Sequence, residues 1–255
     1  RRRRRRCRHG SGQPQAVTDS PSTESSTADD QDRTHSSTVE NYIKHIYLQG
    51  RGAPEEQVPM KRLADAVGVS PGTATSMVKG LARSGLISYE PRGGTQLTTR
   101  GQALALSVLR RHRLVELFLV EVLKLDWSEV HREAETLEHA ISDKVLDRLD
   151  ELMGHPSVDP HGDPIPTVAG DIDETHFEAL AARRAGDELR IVRVTDQDAN
   201  FLRFADREGL VPGTQIRVDR RDDDADSLSV TLGGSRPLTL GASAAAKILV
   251  VPLPD

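Results

Sequence analysis

Imidazoles and carboxylates fall at helical spacing in two short stretches, Arg111-His112-Arg113-Leu114-Val115-Glu116 and His131-Arg132-Glu133-Ala134-Glu135-Thr136-Leu137-Glu138-His139. His112 and Glu116 are four residues apart; Glu135, Glu138 and His139 stand four, seven and eight residues after His131. Each set therefore projects from one helix face, and nitrogen and oxygen donors gathered in this way are the ligand types of a divalent-metal site. Val130, Ala134, Leu137, Ile141, Val145 and Leu149 form an apolar stripe beside the second set, which would seat one helix over 129–152 against the core. The same spacing also fits a solvated charged face. Residues 124–129 between the stretches read as a helix-helix connection with Ser128 as N-cap, turning the two sets toward each other.

Composition bounds the setting. A chain of 255 residues, 36% of them hydrophobic, is long enough for two or three small domains, and no apolar run reaches membrane-spanning length. Seven of the first eight residues are Arg, and a Ser/Thr/Gln/Asp-rich stretch follows to about Ser36. With little to bury, 1–36 is expected to be a disordered tail. The Arg run fits a nucleic-acid or nuclear-targeting tail or an artefact of the start site, and without an apolar segment behind it is no signal peptide. Without those seven charges the net falls from -5 to -12, so a DNA-binding surface has to be a local basic patch on an acidic body. The single cysteine, Cys7, lies in the tail. That excludes internal disulfides and thiolate-based zinc sites, fits a reducing cytoplasm and leaves any metal to N and O ligands.

The elements before the ligand stretches have the pattern of a DNA-binding unit. Val39, Tyr42, Ile43, Ile46 and Tyr47 line one face of a helix that starts at Thr38 and ends at Gly50-Arg51-Gly52. Residues 58–69 give a short amphipathic helix closed at Gly68, and Ser70-Pro71 start another that runs through Arg83. Two short helices joined by a Gly-containing turn are a helix-turn-helix; 86–90 and 96–99, around a turn at 91–95, add a hairpin wing. With Ala74, Val78 and Leu81 facing inward, Ser70, Gly72, Thr73, Thr75, Ser76 and Lys79 face outward near the helix start, small enough to approach a major groove. Arg92 in the wing, with Lys61, Arg62, Arg83 and Arg100, is available for phosphates. Such units also serve as protein-interaction modules; the wing and basic rim favour DNA.

Residues 101–124 read as a long helix whose later part, 114–120, is apolar nearly all round and must be buried on several sides. One partner helix cannot cover it, so a second copy is the economical cover, and a symmetric homodimer presents two recognition helices to a palindromic double-stranded operator. After Pro166 a linker leads to alternating segments at 188–194, 214–218, 228–232 and 247–251, a small barrel of five or so short strands.

A winged helix, then His112 with Glu116, then His131, Glu135, Glu138 and His139, then Asp159-Pro160-His161-Gly162-Asp163-Pro164-Ile165-Pro166 is an order that closely resembles the diphtheria-toxin-repressor family of metal-activated repressors. The resemblance is strong from Ser37 to about Pro166, and the last segment resembles the SH3-like domain of the longer members. It implies a primary metal site of Glu135, Glu138 and His139 with Asn41 on the first helix, and an ancillary site of His112, Glu116 and His131. In the family the SH3-like domain can lend oxygens to the ancillary site, which makes Asp196, Asp198 and Asn200 candidates. A plain Asp/Asn turn capping a helix at 200–207 is the competing reading of that stretch. The iron branch has Cys where Glu135 stands. A carboxylate there resembles the manganese branch, so the implied metal is Mn2+, with Fe2+ the alternative. Asn41 departs from the Asp or Met usual at its position, offering only a neutral amide oxygen. Lys44 stands where short manganese regulators carry a second carboxylate, which favours two separated sites over a close metal pair.

These readings give a mainly α fold with a small β part: a disordered tail over 1–36, a winged helix-turn-helix DNA-binding domain over 37–101, a helical dimerisation and metal-binding domain over 102–166, a linker over 167–186 and an SH3-like β-barrel over 187–255. The function implied by the resemblance is a cytoplasmic, manganese-dependent DNA-binding repressor of metal-uptake genes, with iron-dependent repression as the alternative. A metalloenzyme would need an open coordination position with a general base and cleft, and no Ser/His/Asp arrangement or phosphate-cradling loop is present. A winged-helix regulator with structural His and Glu residues is the remaining rival. In the expected mechanism Glu135 and Glu138 repel each other without metal and the DNA-binding unit swings freely; an ion joining them to the first helix selects the DNA-matching conformer.

Overall fold

The computed structural model describes residues 35–50 and 57–254. The tail expected over 1–36 lies, but for its last two residues, outside the described residues. α1 spans Ser37–Gly50 and α2 spans Met60–Ala66. Gly68, at φ +68°, turns the chain, and α3 (Pro71–Arg83) starts where Ser70 Oγ accepts from the Thr73 amide at 3.2 Å, with Pro71 at the first helical position. β1 (Ile87–Glu90) and β2 (Gly94–Leu97) pair antiparallel, Ile87 opposite Leu97 and Glu90 opposite Gly94, and Thr95 also bridges to Val58. Ile43, Ile46, Leu63, Ala74, Val78, Leu81 and Leu86 fill one core beneath this winged unit.

α4 (Thr99–Glu121) leaves the wing directly. Thr98 Oγ1 caps it by accepting from the Gly101 amide at 3.1 Å. A Cβ on Gly101 would lie 2.0 Å from the Leu86 carbonyl oxygen, so only glycine lets helix and wing come this close. Leu106, Leu109, Leu114, Val115 and Leu119 are buried along α4, and so are Arg111, His112, Arg113 and Glu116. The girth at 114–120 does not by itself call for a second copy, because Val130, Ala134, Leu146 and Ile165 of the same chain cover much of it.

The single helix expected over 129–152 is two, α5 (Val130–Leu137) and α6 (Asp143–Leu152). Ser142 divides them: its Oγ accepts from the Val145 amide at 3.3 Å, so a fresh N-terminus is satisfied locally and the helix need not run through. The expected stripe is divided too, with Val130 and Ala134 buried but Leu137 and Val145 exposed. Nor does Ser128 cap α5. Its hydroxyl and amide both go to Asp126 Oδ1, at 2.6 and 2.8 Å.

The C-terminal region is a six-stranded antiparallel sheet ordered β3-β8-β4-β5-β6-β7. Its strands are β3 (Glu178–Ala179), β4 (Glu188–Val194), β5 (Gln215–Asp222), β6 (Ser227–Leu232), β7 (Arg236–Gly241) and β8 (Ile248–Pro252). Leu189, Ile216, Val218, Val230 and Val250 alternate into a core with Leu202 and Ala205 of α7 (Ala199–Glu208). A register shift between Ile191 and Arg193 lets Ile191 and Val194 both face inward. The expected barrel is not closed, since β3, two residues long, and β7 remain as edges. Leu180, just past β3, is fully buried in this core, so the sheet starts within the stretch read as linker. Val194 donates its amide to the His161 carbonyl at 2.8 Å, and a Cβ on Gly162 would lie 2.0 Å from the Val192 carbonyl oxygen. β4 thus seats directly on the loop that follows α6. No helix among the described residues is long and apolar enough to cross a membrane.

Gly101→Ala should lower stability by roughly 1–3 kcal/mol through overpacking against Leu86. Gly80→Ala, in α3 with nothing within 4 Å of its Cβ position, should raise it by about 0.5–1 kcal/mol. Thermal unfolding of both variants checks the pair, and a Gly101→Ala variant as stable as the parent chain would contradict the close approach.

Candidate metal centre

Polar rows of α4, α5 and α1 face one another. His112 Nε2 lies 2.9 Å from Glu116 Oε1 and 3.1 Å from His131 Nδ1, which is itself 3.1 Å from the same carboxylate oxygen. Three acceptor-capable atoms this close cohere only around a proton or a cation. The other nitrogen of the same ring, His112 Nδ1, lies 2.5 Å from Glu138 Oε2 and 4.0 Å from Glu135 Oε1. One imidazole therefore joins two ligand groups, where the resemblance put it in the ancillary group alone. Burial by itself would lower the His112 pKa, but Glu116 and Glu138 overcome it and raise the value to about 9. Glu116, whose burial opposes ionisation, is held far below the usual carboxylate range by His112. At neutral pH His112 is an imidazolium donating to both carboxylates.

The bare repulsion expected between Glu135 and Glu138 is absent. Lys44 of α1, 2% exposed, places Nζ 2.7 Å from Glu135 Oε1 and 2.6 Å from Glu138 Oε1. Burial alone would raise the Glu135 pKa; the Lys44 ammonium brings it below the ordinary value. His139 turns both nitrogens to α1, Nδ1 2.5 Å from Glu40 Oε2 and Nε2 2.8 Å from Asn41 Oδ1, with Glu138 Oε1 3.3 Å from Nε2. Asn41, Glu138 and His139 thus stand together. Glu40 was unforeseen: it is buried and also accepts from Arg111 Nη2 at 2.9 Å. A Glu in a first helical turn reads as a partner of the helix dipole, and its spacing gave no sign of burial.

A third group joins Glu116, already among the expected ligands, to two residues that were not read as ligands. Glu116, Asp159 and His161 are buried together with one donor atom each within 4.8 Å of the others. Glu116 Oε2, Asp159 Oδ2 and His161 Nδ1 make no hydrogen bond. His161 Nε2 is 3.1 Å from the Trp127 carbonyl; donation there leaves Nδ1 with its lone pair bare, as an orienting partner does for a metal-ligating histidine. Burial pushes Asp159 well above the carboxylate range, with the charges of Asp163 and Glu116 adding to it, and burial lowers His161. A divalent ion fits such a set, because it would satisfy three buried atoms that otherwise carry an unmet desolvation cost. The Asp-x-His spacing of Asp159 and His161 was the available signal.

Residues 35–95 match the family described as iron dependent repressor, N-terminal DNA binding domain; 98–167 match iron dependent repressor, metal binding and dimerisation domain; 179–252 match the FeoA domain. The chain is 38% identical over 217 residues to the iron-dependent repressor IdeR of Mycobacterium leprae, covering 80% of this chain and 92% of that one. It is 37% identical over 197 residues to the diphtheria toxin repressor of Corynebacterium efficiens, covering 71% and 82%. The chain belongs to the diphtheria-toxin-repressor family. As a member it is a metal-dependent DNA-binding repressor and not an enzyme. Among solved structures, a manganese-dependent transcriptional repressor in complex with manganese shares 38% identity at a TM-score of 0.77, over 84% of this chain and 100% of that one. The manganese regulator SloR shares 30% at 0.67, over 84% and 98%.

In this family member the C-terminal candidates are engaged elsewhere. Asp196 Oδ2 is 2.5 Å from Lys247 Nζ, while its Oδ1 accepts from the Asp198 amide at 2.9 Å. Asp198 caps α7 by accepting from the amides of Asn200 and Phe201, and Asn200 Oδ1 accepts from Arg203 at 2.8 Å. A helix start needs such acceptors. Gln197 instead reaches Asp163 Oδ2 at 3.4 Å and lines a cleft with His131, Glu135 and Lys44. On the winged unit Ser70, Gly72, Thr73, Ser76, Lys79 and Arg92 are exposed and Thr75 half-buried. Ser70 is used as the α3 cap, and Thr75 donates its hydroxyl back to the Pro71 carbonyl at 2.7 Å.

Coordination by His112 would need the neutral ring, so an ion held there would compete with a proton below pH about 9. Metal affinity should rise with pH by up to about tenfold per unit below that value and level off above it. Calorimetry in buffers of different ionisation heat should register the released proton, and a signal independent of buffer would remove His112 from the ligands.

Proposed function

We propose that the chain represses metal-uptake genes in the cytoplasm as a manganese-dependent homodimer on a palindromic operator. The observation that carries this reading is the convergence beside α4 of donors that are all nitrogen and oxygen, three of whose atoms, Glu116 Oε2, Asp159 Oδ2 and His161 Nδ1, are buried without a hydrogen bond. Carboxylates at Glu116, Glu135, Glu138 and Asp159 make a hard set suited to Mn2+, where a thiolate at position 135 would favour Fe2+. We assign Asn41, Glu135, Glu138 and His139 to the primary site, and His112, Glu116 and His131 to the ancillary site, with Asp159 and His161 beside the latter. A bound ion would supply the positive charge these carboxylates share. The side chains of Glu40 and Asn41 then fix α1, and with it α3, relative to the helices that dimerise. In α3, Gly72, Thr73, Ser76 and Lys79 face the groove, Ser70 and Thr75 hold the helix start, and Arg92 meets phosphate. The exposed apolar side chains Val122, Leu123, Leu125, Leu137, Val145 and Leu152 supply the dimer face. An iron-dependent repressor is the second reading, supported by the likeness to IdeR.

Metal and DNA affinities should be coupled by about 1–3 kcal/mol. DNA selected from a random pool by the Mn2+-loaded protein should be retarded in Mn2+ and released by chelator; retardation unchanged by chelator would make this a metal-independent regulator. Glu135→Cys should move the ranking of activating ions toward Fe2+ and Co2+ in the same titration, and an unchanged ranking would remove Glu135 from the ligands.

Asp159→Asn keeps the turn-forming Oδ1 but removes a buried, poorly compensated carboxylate. It should raise the chelator-state melting temperature by a few degrees and shrink the further rise caused by Mn2+. A full Mn2+ response would place the ion elsewhere.

A further inference from the structure

The strongest observation outside the assigned ligands is the Lys44 ammonium. Its two acceptors, Glu135 Oε1 and Glu138 Oε1, belong to the carboxylates that with His112 form a cation-sized group, their ligand atoms within 4.8 Å of one another. Lys44 is itself buried, so its charge is not there by solvation; it is there because the carboxylates hold it. We propose that Lys44 is a resident competitor of the metal: it occupies the cation position between Glu135 and Glu138, bridges α1 to α5 in the metal-free protein, and must withdraw before a divalent ion can take both oxygens. Withdrawal has somewhere to go. The cleft beside the centre is lined by Lys44 itself with His45, Leu48, Arg113, Asp163 and Gln197, within the compass of a flexible four-carbon stem. Lys44 thereby sets the concentration of metal at which the ion replaces the ammonium bridge, and the ion exchanges one tie between the DNA-binding unit and the dimerisation helices for another. This rests on the proposed assignment of Glu135 and Glu138 as metal ligands.

The test compares wild type, Lys44→Met and Lys44→Arg, by Mn2+ calorimetry and by amide hydrogen exchange in chelator. Lys44→Met should bind Mn2+ roughly tenfold or more tightly than wild type, while Lys44→Arg should stay within about threefold of it, because the competitor is the charge. In chelator the α1 amides of Lys44→Met should exchange faster than those of wild type, and Mn2+ should restore their protection. Affinity unchanged or weakened in Lys44→Met, or equally tightened in Lys44→Arg, overturns the competition. Should Lys44→Met fail to fold, Lys44→Gln keeps a donor for the carboxylates without the charge and takes its place in both measurements. A wild type that binds no Mn2+ refutes the proposed function; the chelator comparison then still decides the bridge, equal α1 exchange overturning it.

Discussion

Carboxylates taken out of water require positive charge beside them, and Glu116 and Glu138 are both fully buried. The polar interior follows from that requirement. His112 sits between them with one ring nitrogen on each, Lys44 arrives from α1 for Glu138, and His131 Nδ1 of α5 lies 3.1 Å from Glu116 Oε1. Asp159 lacks an equally close partner; Arg113 Nε comes no nearer than 3.7 Å. Compensation in the metal-free chain is therefore complete at one end of the row and incomplete at the other. A cation is most needed where the unpartnered atoms are.

All three domains reach this row. The winged unit contributes Glu40, Asn41 and Lys44, and the middle domain contributes α4 and α5. The C-terminal sheet does not touch the row through the acidic residues of its α7 start. It acts through the loop after α6, where Val194 holds the His161 carbonyl and Arg193 Nε donates to Gly162 at 3.1 Å. Arg113 fastens the same loop from α4 by donating to the Pro164 carbonyl. A displacement of α4 is thereby felt by both flanking domains, because close packing transmits rather than absorbs it.

Much of this was legible in residue order. Ser70 with Pro71, the glycine at 68 and the 3.6-residue period of α1 each carry a local physical meaning, and the elements they mark are present. His112 and Glu116 declared themselves by spacing, which on a helix is nearly a spatial statement, and the family resemblance implied that His131 joins them. What stayed hidden depends on contacts between distant segments: Glu40 with His139, Lys44 with Glu138, Asp159 with Glu116. Periodicity reports which face a side chain takes, not what lies opposite. The break at Ser142 is a different failure, since an apolar period of seven or eight residues continues across a cap as readily as through a helix.

Trp127 is the chain's one tryptophan. Its indole stacks on the His161 imidazole with centroids 5.2 Å apart and planes 21° from parallel, its carbonyl accepts from that ring, and it is counted in the core of the C-terminal sheet. Indole emission from the described fold thus originates at a single place, stacked on the histidine of the Glu116, Asp159 and His161 group. The molecule contains its own optical probe at the seam of two domains, and occupancy of that corner can be followed by fluorescence with no label attached.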